Sequence, residues 1–450
     1  MPGSDGNRAQ TRLGRRTYLK SAGVAALAGL AGCSGGGGGG GSDGESTSTS
    51  GESTSTSGES TSTSGGSTGS SGGSLTIGAL QPFTGTYDWI GSNTKPAYEL
   101  AFTEIENEGL LGRDTIEVNE QDTAVKPQKA KQGLSTLDAA GVPAVIGPSS
   151  SVMPSLIQQI QDAQIPLNTV MAGTIQLDDV GGEWLWRSVP SDAVGGAAAA
   201  LYAYDELGHR NMALTFKNDR GSQSFSEAVG AAFEAKGGTI ETKVPLPVNA
   251  NSYRSQIEEL MDAGPDIVQM TAATEISSLF VKNYNQLDAK EEFNLMLGND
   301  VLTPDFIETV GADTAEGFIG QAPAPGPASA QFQQKFNDTY GQEPGAFAAA
   351  AYDAANLFAL AFQHAGEVAR DAIPESLPAV ATPGGTEVTT FAEGKAELES
   401  GNEINYTGAS NPQNFDENGN VVGPFSVLKA TGGEWNSAVT YEADPLTEVY

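Results

Sequence analysis

The fold is decided by residues 75–119, LTIGALQPFTGTYDWIGSNTKPAYELAFTEIENEGLLGRDTIEVN. Residues 75–80 form a short apolar run that ends at Pro82, and residues 94–108 carry apolar side chains at helical spacing. Residues 115–119 are again of strand type. A strand, a helix and a second strand at this spacing require a crossover connection, so the stretch predicts parallel strands covered by helices.

The same alternation continues for the rest of the chain. After the first three elements, it predicts helices at 128–140 and 152–163 and a strand at 143–146. It restarts after Pro190, with predicted helices at 193–207, 224–236, 253–262 and 276–287 and predicted strands at 212–216, 239–245, 267–271 and 295–297. Near the end of the chain, the sequence predicts an apolar helix at 347–365 and strands at 425–428 and 438–441. We expect this part of the chain to return to the earlier sheets and complete them. The pattern predicts an α/β fold with two doubly wound parallel-sheet lobes.

Composition excludes several classes of function. Of the 450 residues, 56 are acidic and 23 are basic, so the formal net charge is −33 and a nucleic-acid phosphate backbone would be repelled. The single cysteine, Cys33, excludes an intramolecular disulfide and a site of several thiolates. The two histidines, His209 and His364, leave little material for zinc or for acid/base chemistry. The sequence indicates no cofactor and no metal.

Motifs that carry catalysis are missing from the sequence. It contains no Gly-Lys-Ser/Thr phosphate loop, no dinucleotide fingerprint after the first strand and no Gly-x-Ser-x-Gly nucleophile elbow. Acidic pairs such as Asp178-Asp179 are typical of solvated faces in a chain this acidic. We therefore predict that the protein is not an enzyme.

The N-terminal 32 residues are typical of a targeting segment. Residues 15–20, RRTYLK, precede a small-residue apolar run at 22–32 that ends at Cys33. Paired arginines at this place resemble a twin-arginine signal, and LAGC at 30–33 resembles a lipobox. The resemblance implies cleavage before Cys33, lipidation of its thiol and an anchor on the outer face of the membrane. The alternative, a transmembrane helix, would need about 20 apolar residues.

Residues 33–74 form a tether rich in Gly, Ser and Thr. The tract contains three copies of ESTSTSG, starting at Glu45, Glu52 and Glu59, and cannot bury a core. As a flexible coil it would span roughly 35 Å on average. Its hydroxyl groups are potential acceptors of O-linked sugars.

The scattered acidic surface is typical of a halophile, most of all a haloarchaeon. Self-repulsion at this charge destabilises a compact state unless salt screens it, so we expect salt-dependent folding. The alternative is a specific cation-binding function, which the scattering of the acids disfavours.

Polar loops that follow predicted strands are the candidate binding sites. In open parallel sheets, ligands bind at the carboxyl ends of strands, where helix N-termini offer free N–H groups. One such loop is 146–151, IGPSSS, and a second is 168–174, NTVMAGT. Asp300 follows a predicted strand of the second half and is placed to meet an ammonium group. The alternatives are ordinary N-capping by the serines and capping of the helix near Pro304 by Asp300.

Several segments carry a resemblance to a known family. They are TIGALQPFTG at 76–85, VIGPSSS at 145–151, Ile165-Pro166, INYTGAS at 404–410 and NFDENG at 414–419. In this order they resemble the branched-chain amino acid binding proteins of ABC importers, over nearly all of 75–435. The resemblance implies a type I periplasmic-binding-protein fold, with two lobes joined by three crossovers. It places the first lobe at 75–190 and 322–411 and the second lobe at 191–321 and 412–450.

The resemblance also implies a set of ligand-binding residues. The carboxylate-binding serine loop of the family matches Ser149, Ser150 and Ser151, and the next loop, which contacts both ends of an amino acid, matches Ala172 and Thr174. The ammonium-binding acid matches Asp300, and Trp89 falls near an aromatic residue that covers the ligand.

Two positions depart from the family pattern. Arg220 precedes Gly221 where the family often has an aromatic residue, and another frequent aromatic is missing around Thr274. An arginine over the cleft would favour a ligand with extra negative charge or a polar side chain, and it would disfavour leucine-like solutes.

The predicted function is that of an extracellular, lipid-anchored solute-binding subunit of an ABC importer. Its predicted partners are an amino acid or related small solute and the membrane permease. One alternative is a sensor module that signals to a membrane receptor. Another is an exported hydrolase, which would need a nucleophile–base pair that the sequence does not provide.

Overall fold

The computed structural model describes residues 73–85 and 87–449. The predicted signal segment at 1–32, Cys33 and the tether as far as residue 72 lie outside the described residues. Gly73 and Ser74, which the sequence assigned to the tether, are the first two residues of a strand. Within the described part of the chain, no helix is both long enough and apolar enough to cross a membrane.

A five-stranded parallel sheet forms the centre of the first lobe. Its strands are β1 (Gly73–Gln81), β2 (Arg113–Asp122), β3 (Val145–Ile146), β4 (Leu167–Thr169) and β5 (Leu185–Arg187), in the order β2-β1-β3-β4-β5. Sequence patterning did not predict β4 and β5, because each has only three residues and both are buried throughout, which gives no alternation to detect.

A seven-stranded sheet forms the centre of the second lobe, in the order β14-β13-β10-β9-β8-β6-β7. The remaining strands are β6 (Asn211–Lys217), β7 (Thr239–Leu246), β8 (Ile267–Thr271), β9 (Asn294–Leu297), β10 (Ile319–Pro323), the small parallel pair β11 (Thr386–Val388) and β12 (Ile404–Tyr406), β13 (Phe425–Thr431) and β14 (Glu434–Tyr441). At one edge β13 runs antiparallel to both β10 and β14, which strand–helix alternation did not predict. Gly432 and Gly433 both have positive φ, so a tight hairpin joins β13 to β14 without a crossover.

Helices cover both sheets. They are α1 (Asp88–Glu108), α2 (Pro127–Ala139), α3 (Ile157–Ala163), α4 (Asp192–Leu201), α5 (Arg220–Ala235), α6 (Arg254–Ala263), α7 (Thr274–Gln286), α8 (Pro304–Val310), α9 (Ala312–Ala315), α10 (Ser329–Tyr340), α11 (Ala348–Ala365), α12 (Ile373–Ala379), α13 (Phe391–Glu399) and α14 (Ala443–Thr447). The helix predicted at 193–207 is α4 followed by a π-helical turn, Tyr202–Glu206. The helix predicted at 152–163 is a 3₁₀ turn, Met153–Ser155, followed by α3.

Each lobe has its own buried core. In the first lobe, Ile77 and Ala79 of β1 pack in one cluster with α1, α11 and the α10–α13 region. The apolar helix predicted at 347–365 corresponds to α11, and fourteen of its residues are buried. In the second lobe, two clusters cover the two faces of the large sheet. Late residues of the chain therefore contribute to both cores, α10–α13 to the first and β13–β14 to the second.

The chain crosses between the lobes three times, after β5, after β10 and after β12, and the three crossovers are hydrogen-bonded to one another. The side chain of Asn411 donates to the Ser188 carbonyl (3.0 Å), and the Gly326 N–H donates to the Ala409 carbonyl (3.1 Å). Buried Asp353 of α11 accepts from the Ala409 N–H (2.7 Å). These bonds join the three crossover segments to one another and, through Asp353, to the first lobe.

Candidate functional site

A cavity of about 560 Å³ lies between the two lobes and is called the cleft below. Its volume is in the range of small-molecule sites. The first lobe contributes the loops that follow β1, β3 and β4, the second lobe contributes the loops that follow β6 and β9, and the crossovers close the back. Both sheets thus present the carboxyl ends of strands to one space, which is where ligands bind in folds of this type.

The serine loop lines the first-lobe wall, and Ser149, Ser150 and Ser151 all face the cleft. Ser149 is only 5% exposed, and its Oγ has no hydrogen-bond partner within the part of the chain that the structure describes. No serine side chain caps the following 3₁₀ turn or α3. Because a buried hydroxyl without a partner costs free energy, Ser149 Oγ is suited to receive a ligand group.

Asp300 lines the opposite wall, in a 3₁₀ turn formed by Asn299–Val301. It does not cap the next helix, because Thr303 Oγ1 accepts the Phe306 N–H at the start of α8 (3.3 Å). Burial and the nearby Asp219 charge raise the pKa of Asp300 to about 6, against the opposing effect of Lys217. A neighbouring cation would therefore stabilise this carboxylate.

A cluster of Tyr87, Lys217 and Asp219, called the Asp219 cluster below, joins the two lobes beside Asp300. The Tyr87 hydroxyl donates to Asp219 Oδ2 (2.6 Å), and Lys217 Nζ lies 3.0 Å from the same oxygen and 2.9 Å from the Tyr87 hydroxyl. Asp219 Oδ1 caps α5 by accepting the Ser222 N–H (2.9 Å). Burial alone would raise the pKa of Asp219, but hydrogen bonds from Ser222, Tyr87 and Lys217 outweigh it and lower the pKa.

A second polar contact joins the lobes near the first crossover. The Ser224 hydroxyl of α5 donates to Asp192 Oδ2 (3.1 Å) and lies 3.3 Å from Thr174 Oγ1 of the first lobe. Burial raises the pKa of Asp192, which lines the cleft, to about 7, although Arg187 opposes the effect. Arg187 is 2% exposed and forms an ion pair with Asp178.

An aromatic wall made of Tyr87, Trp89 and Phe347 borders the cleft. Trp89 stacks on Phe347, with ring centroids 6.2 Å apart and an interplanar angle of 26°, and meets Tyr87 edge-on. Phe347 precedes α11 with a φ of 68°, a left-handed conformation that is strained for a large side chain. Such strain is common at ligand clamps, and Phe347 is one of the residues that line the cleft.

Four predicted residues are not among those lining the cleft. Ala172 is buried, and its N–H donates to Thr169 Oγ1 (3.1 Å), while Thr174 is buried against Ser224. Arg220 and Thr274 are the first residues of α5 and α7, and both are exposed. The structure therefore does not place the Arg220 guanidinium over the cleft.

Sequence reasoning missed Tyr87, Asp192, Lys217 and Asp219. Only Asp219 could have been found from the sequence. It stands between a predicted strand and a predicted helix, a position at which an acidic residue often caps the helix N-terminus. Within residues 73–85 and 87–449, no group of three or more His, Cys, Asp and Glu side chains is arranged to hold a metal ion. The cleft can form hydrogen bonds and ion pairs. Among the described residues that line it, Asp192 and Asp300 are acidic and none is basic.

Known proteins resemble the chain in sequence and in fold. The family model for periplasmic binding proteins matches residues 74–434. A protein of Brucella abortus named Leu/Ile/Val-binding protein homolog 8 is 22% identical over 285 residues, which covers 59% of this chain and 70% of that protein.

Two solved structures share the fold. The leucine-binding protein LivK of Thermotoga maritima superposes with a TM-score of 0.68 at 22% identity, and the alignment covers 82% of this chain and 99% of that chain. An ABC-transporter solute-binding protein of Rhodopseudomonas palustris, solved with benzoate, gives 0.66 at 18% identity and covers 82% and 97% of the two chains. With the family model matched over most of its length and with two parallel-sheet lobes around a cleft, the chain belongs to the periplasmic binding protein family and has the type I fold.

Proposed function

We propose that the protein is the extracellular solute-binding subunit of an ABC importer and captures an amino acid or a related small polar solute in the cleft. One observation carries the proposal: the buried Ser149 hydroxyl, without a partner among the described residues, and the Asp300 carboxylate line opposite walls of one cavity. A hydroxyl and free loop N–H groups suit a carboxylate, and an acid suits an ammonium group.

The charges of the cleft favour a solute that carries a cation. Asp300 and Asp192 line the cleft with raised pKa values, whereas Lys217 and Arg187 pair with Asp219 and Asp178. An aromatic acid of the benzoate type would leave the half-buried Asp300 without a counter-charge, which costs free energy. An amino acid supplies both charges.

Closure of the lobes follows from the same arrangement. Only the closed form presents the serine loop and Asp300 to one solute, so binding stabilises that form. The permease then distinguishes the loaded, closed protein from the unloaded one. No bond of the solute is made or broken.

The proposed location is the outer face of the cell membrane, with a lipid anchor at Cys33. The RRTYLK segment, the lipobox-like LAGC and the tether support it, and the net charge of −33 suits a halophile. A binding subunit held by a tether of roughly 35 Å would remain within reach of its permease.

Replacement of Asp300 by Asn should weaken solute binding while stabilising the unloaded protein. Thermal-shift screening of amino acids, amides, urea and short organic acids in molar salt first identifies the solute, and calorimetry then gives its Kd. We expect Kd to rise at least about tenfold, because a hydrogen bond to a charged group contributes about 1.5–3 kcal/mol. Loss of this half-buried charge, whose pKa is raised to about 6, should stabilise the unloaded protein by at most about 3 kcal/mol.

The matched control is Asp305→Asn, an exposed acid five residues further along the chain. It should leave Kd within about twofold. Ser149→Ala should weaken binding as Asp300→Asn does, whereas exposed Ser135→Ala should not. An unchanged Kd for Asp300→Asn would remove this acid from the site.

Affinity for an ammonium-bearing solute should fall as the pH falls through 7 and 6. The raised pKa values, about 7 for Asp192 and about 6 for Asp300, mean that both acids take up protons in this range, and a neutral acid cannot pair with ammonium. For the same reason the unloaded protein should lose stability as the pH rises from 4 to 7, because the folded state binds protons more tightly than the unfolded state. Calorimetry from pH 5 to 8 measures the first effect, and a flat Kd across that range contradicts the assignment.

Substitution of Cys33 should change where the protein is found. In a cell fractionation, the natural chain should sediment with membranes and be released by detergent, whereas Cys33→Ala should lose this behaviour because the lipid acceptor is gone. Arg15→Lys combined with Arg16→Lys serves as the export control and should keep the protein inside the cell. Equal membrane association of the natural chain and Cys33→Ala would contradict a lipid anchor.

A further inference from the structure

Gln321 of β10 is a buried amide that the site described so far does not use. It is 1% exposed and lines the cleft. Neither its Oε1 nor its Nε2 has a hydrogen-bond partner among residues 73–85 and 87–449. A carboxamide can accept at one atom and donate twice at the other, so this side chain has its whole hydrogen-bonding capacity available. Burial in that state is costly unless another molecule satisfies it.

The strand register places Gln321 at the floor of the cleft. Gly320 pairs with Leu297 of β9, and Leu297 pairs with Met270 of β8, so the next row across the sheet holds Gln321, Gly298 and Thr271. All three residues of that row line the cleft. They form the second-lobe floor.

Gly298 leaves the middle of this floor open. A Cβ at that position would fit in ordinary van der Waals contact, 3.6 Å from the nearest atom, Thr271 Cγ2, so the floor at Gly298 has room for a small group of a solute. Thr271 Oγ1 already accepts from Ser226 Oγ (3.1 Å) and from Gln269 Nε2 (2.6 Å). Gln321 is therefore the floor side chain whose amide is left to bind a solute.

The environment of Gln321 strengthens any hydrogen bond made there. Ile319, two residues earlier and so on the same face of β10, belongs to a buried cluster with Met296 and Val427. Antiparallel pairing with β13, where Gln321 lies opposite Val427, holds the strand in place. In such low-dielectric surroundings a satisfied polar contact is strong and an unsatisfied one is costly.

We propose that Gln321 binds the side chain of the solute and determines specificity, selecting amino acids with an uncharged hydrogen-bonding side chain, an amide above all. This inference rests on the proposed function, in which the serine loop and Asp300 bind the carboxylate and the ammonium group. A carboxamide on the solute can donate to Gln321 Oε1 and accept from Nε2 at the same time. A side-chain carboxylate would be repelled by Asp300 and Asp192, and an aliphatic side chain would leave Gln321 without a partner.

The test uses asparagine and leucine, which have the same α-carboxylate and ammonium groups and side chains of similar size. Calorimetry in molar potassium chloride should show that the natural chain binds asparagine at least about tenfold more tightly than leucine. Gln321→Leu should weaken asparagine binding at least about tenfold and remove this preference. Half-buried Gln363→Leu on α11, outside the cleft, is the control and should keep the preference.

A thermal melt of the unloaded variants separates recognition from a structural role. Removal of an unpartnered buried amide should leave the melting temperature unchanged or raise it, and Gln321→Met is the second variant in case Gln321→Leu does not fold. If Gln321→Leu or Gln321→Met still binds asparagine in preference to leucine, the inference is overturned. Binding of leucine without binding of asparagine, glutamine or serine also overturns it but leaves the proposed function intact. If none of these amino acids binds but another amino acid or polar solute does, the inference is overturned and the proposed function is not. If no amino acid or related solute binds at any pH from 5 to 8, both are overturned.

Discussion

The carboxylate of Asp219 is the contact on which the cleft depends. One oxygen caps α5, and the other receives the Tyr87 hydroxyl of the first lobe and the ammonium group of Lys217, which is 3% exposed. This half-buried carboxylate thus fixes the start of a second-lobe helix, bonds to the first lobe through Tyr87 and pairs with Lys217. Burial and the Asp219 charge raise the pKa of Asp300, and Lys217, which is paired with Asp219, offsets only part of this effect.

The acids of the cleft connect stability with function. Asp300 and Asp192 are half-buried acids whose raised pKa values mean that their charged forms reduce the free energy of unfolding. A cationic group on a bound solute would offset this cost. Ser149 and Gln321 are uncharged groups with a similar cost, since each is a buried polar side chain without a hydrogen-bond partner among the described residues. Ser149, Asp300 and Gln321 lie on different parts of the cleft wall. One zwitterionic solute with a polar side chain would therefore provide a partner for all three.

Sequence patterning predicted the α/β fold, the serine loop and Asp300 because each follows from local rules: strand–helix alternation, and polar residues just after strands. It could not find the Asp219 cluster, since Tyr87 and Asp219 are 132 residues apart in sequence. Gln321 lies in a short strand whose neighbours come from distant parts of the chain, so its burial becomes visible only in the assembled sheet. Arg220 shows the opposite error: its neighbour Asp219 caps the helix, and the arginine itself is exposed.

A crystal structure of the protein with the solute found by thermal-shift screening tests the account most directly. We predict electron density for one solute molecule between the lobes, with its carboxylate at Ser149 and its ammonium group at Asp300. A solute that contacts only one lobe, or that binds outside the cleft while Ser149 and Asp300 stay unliganded, would contradict the account.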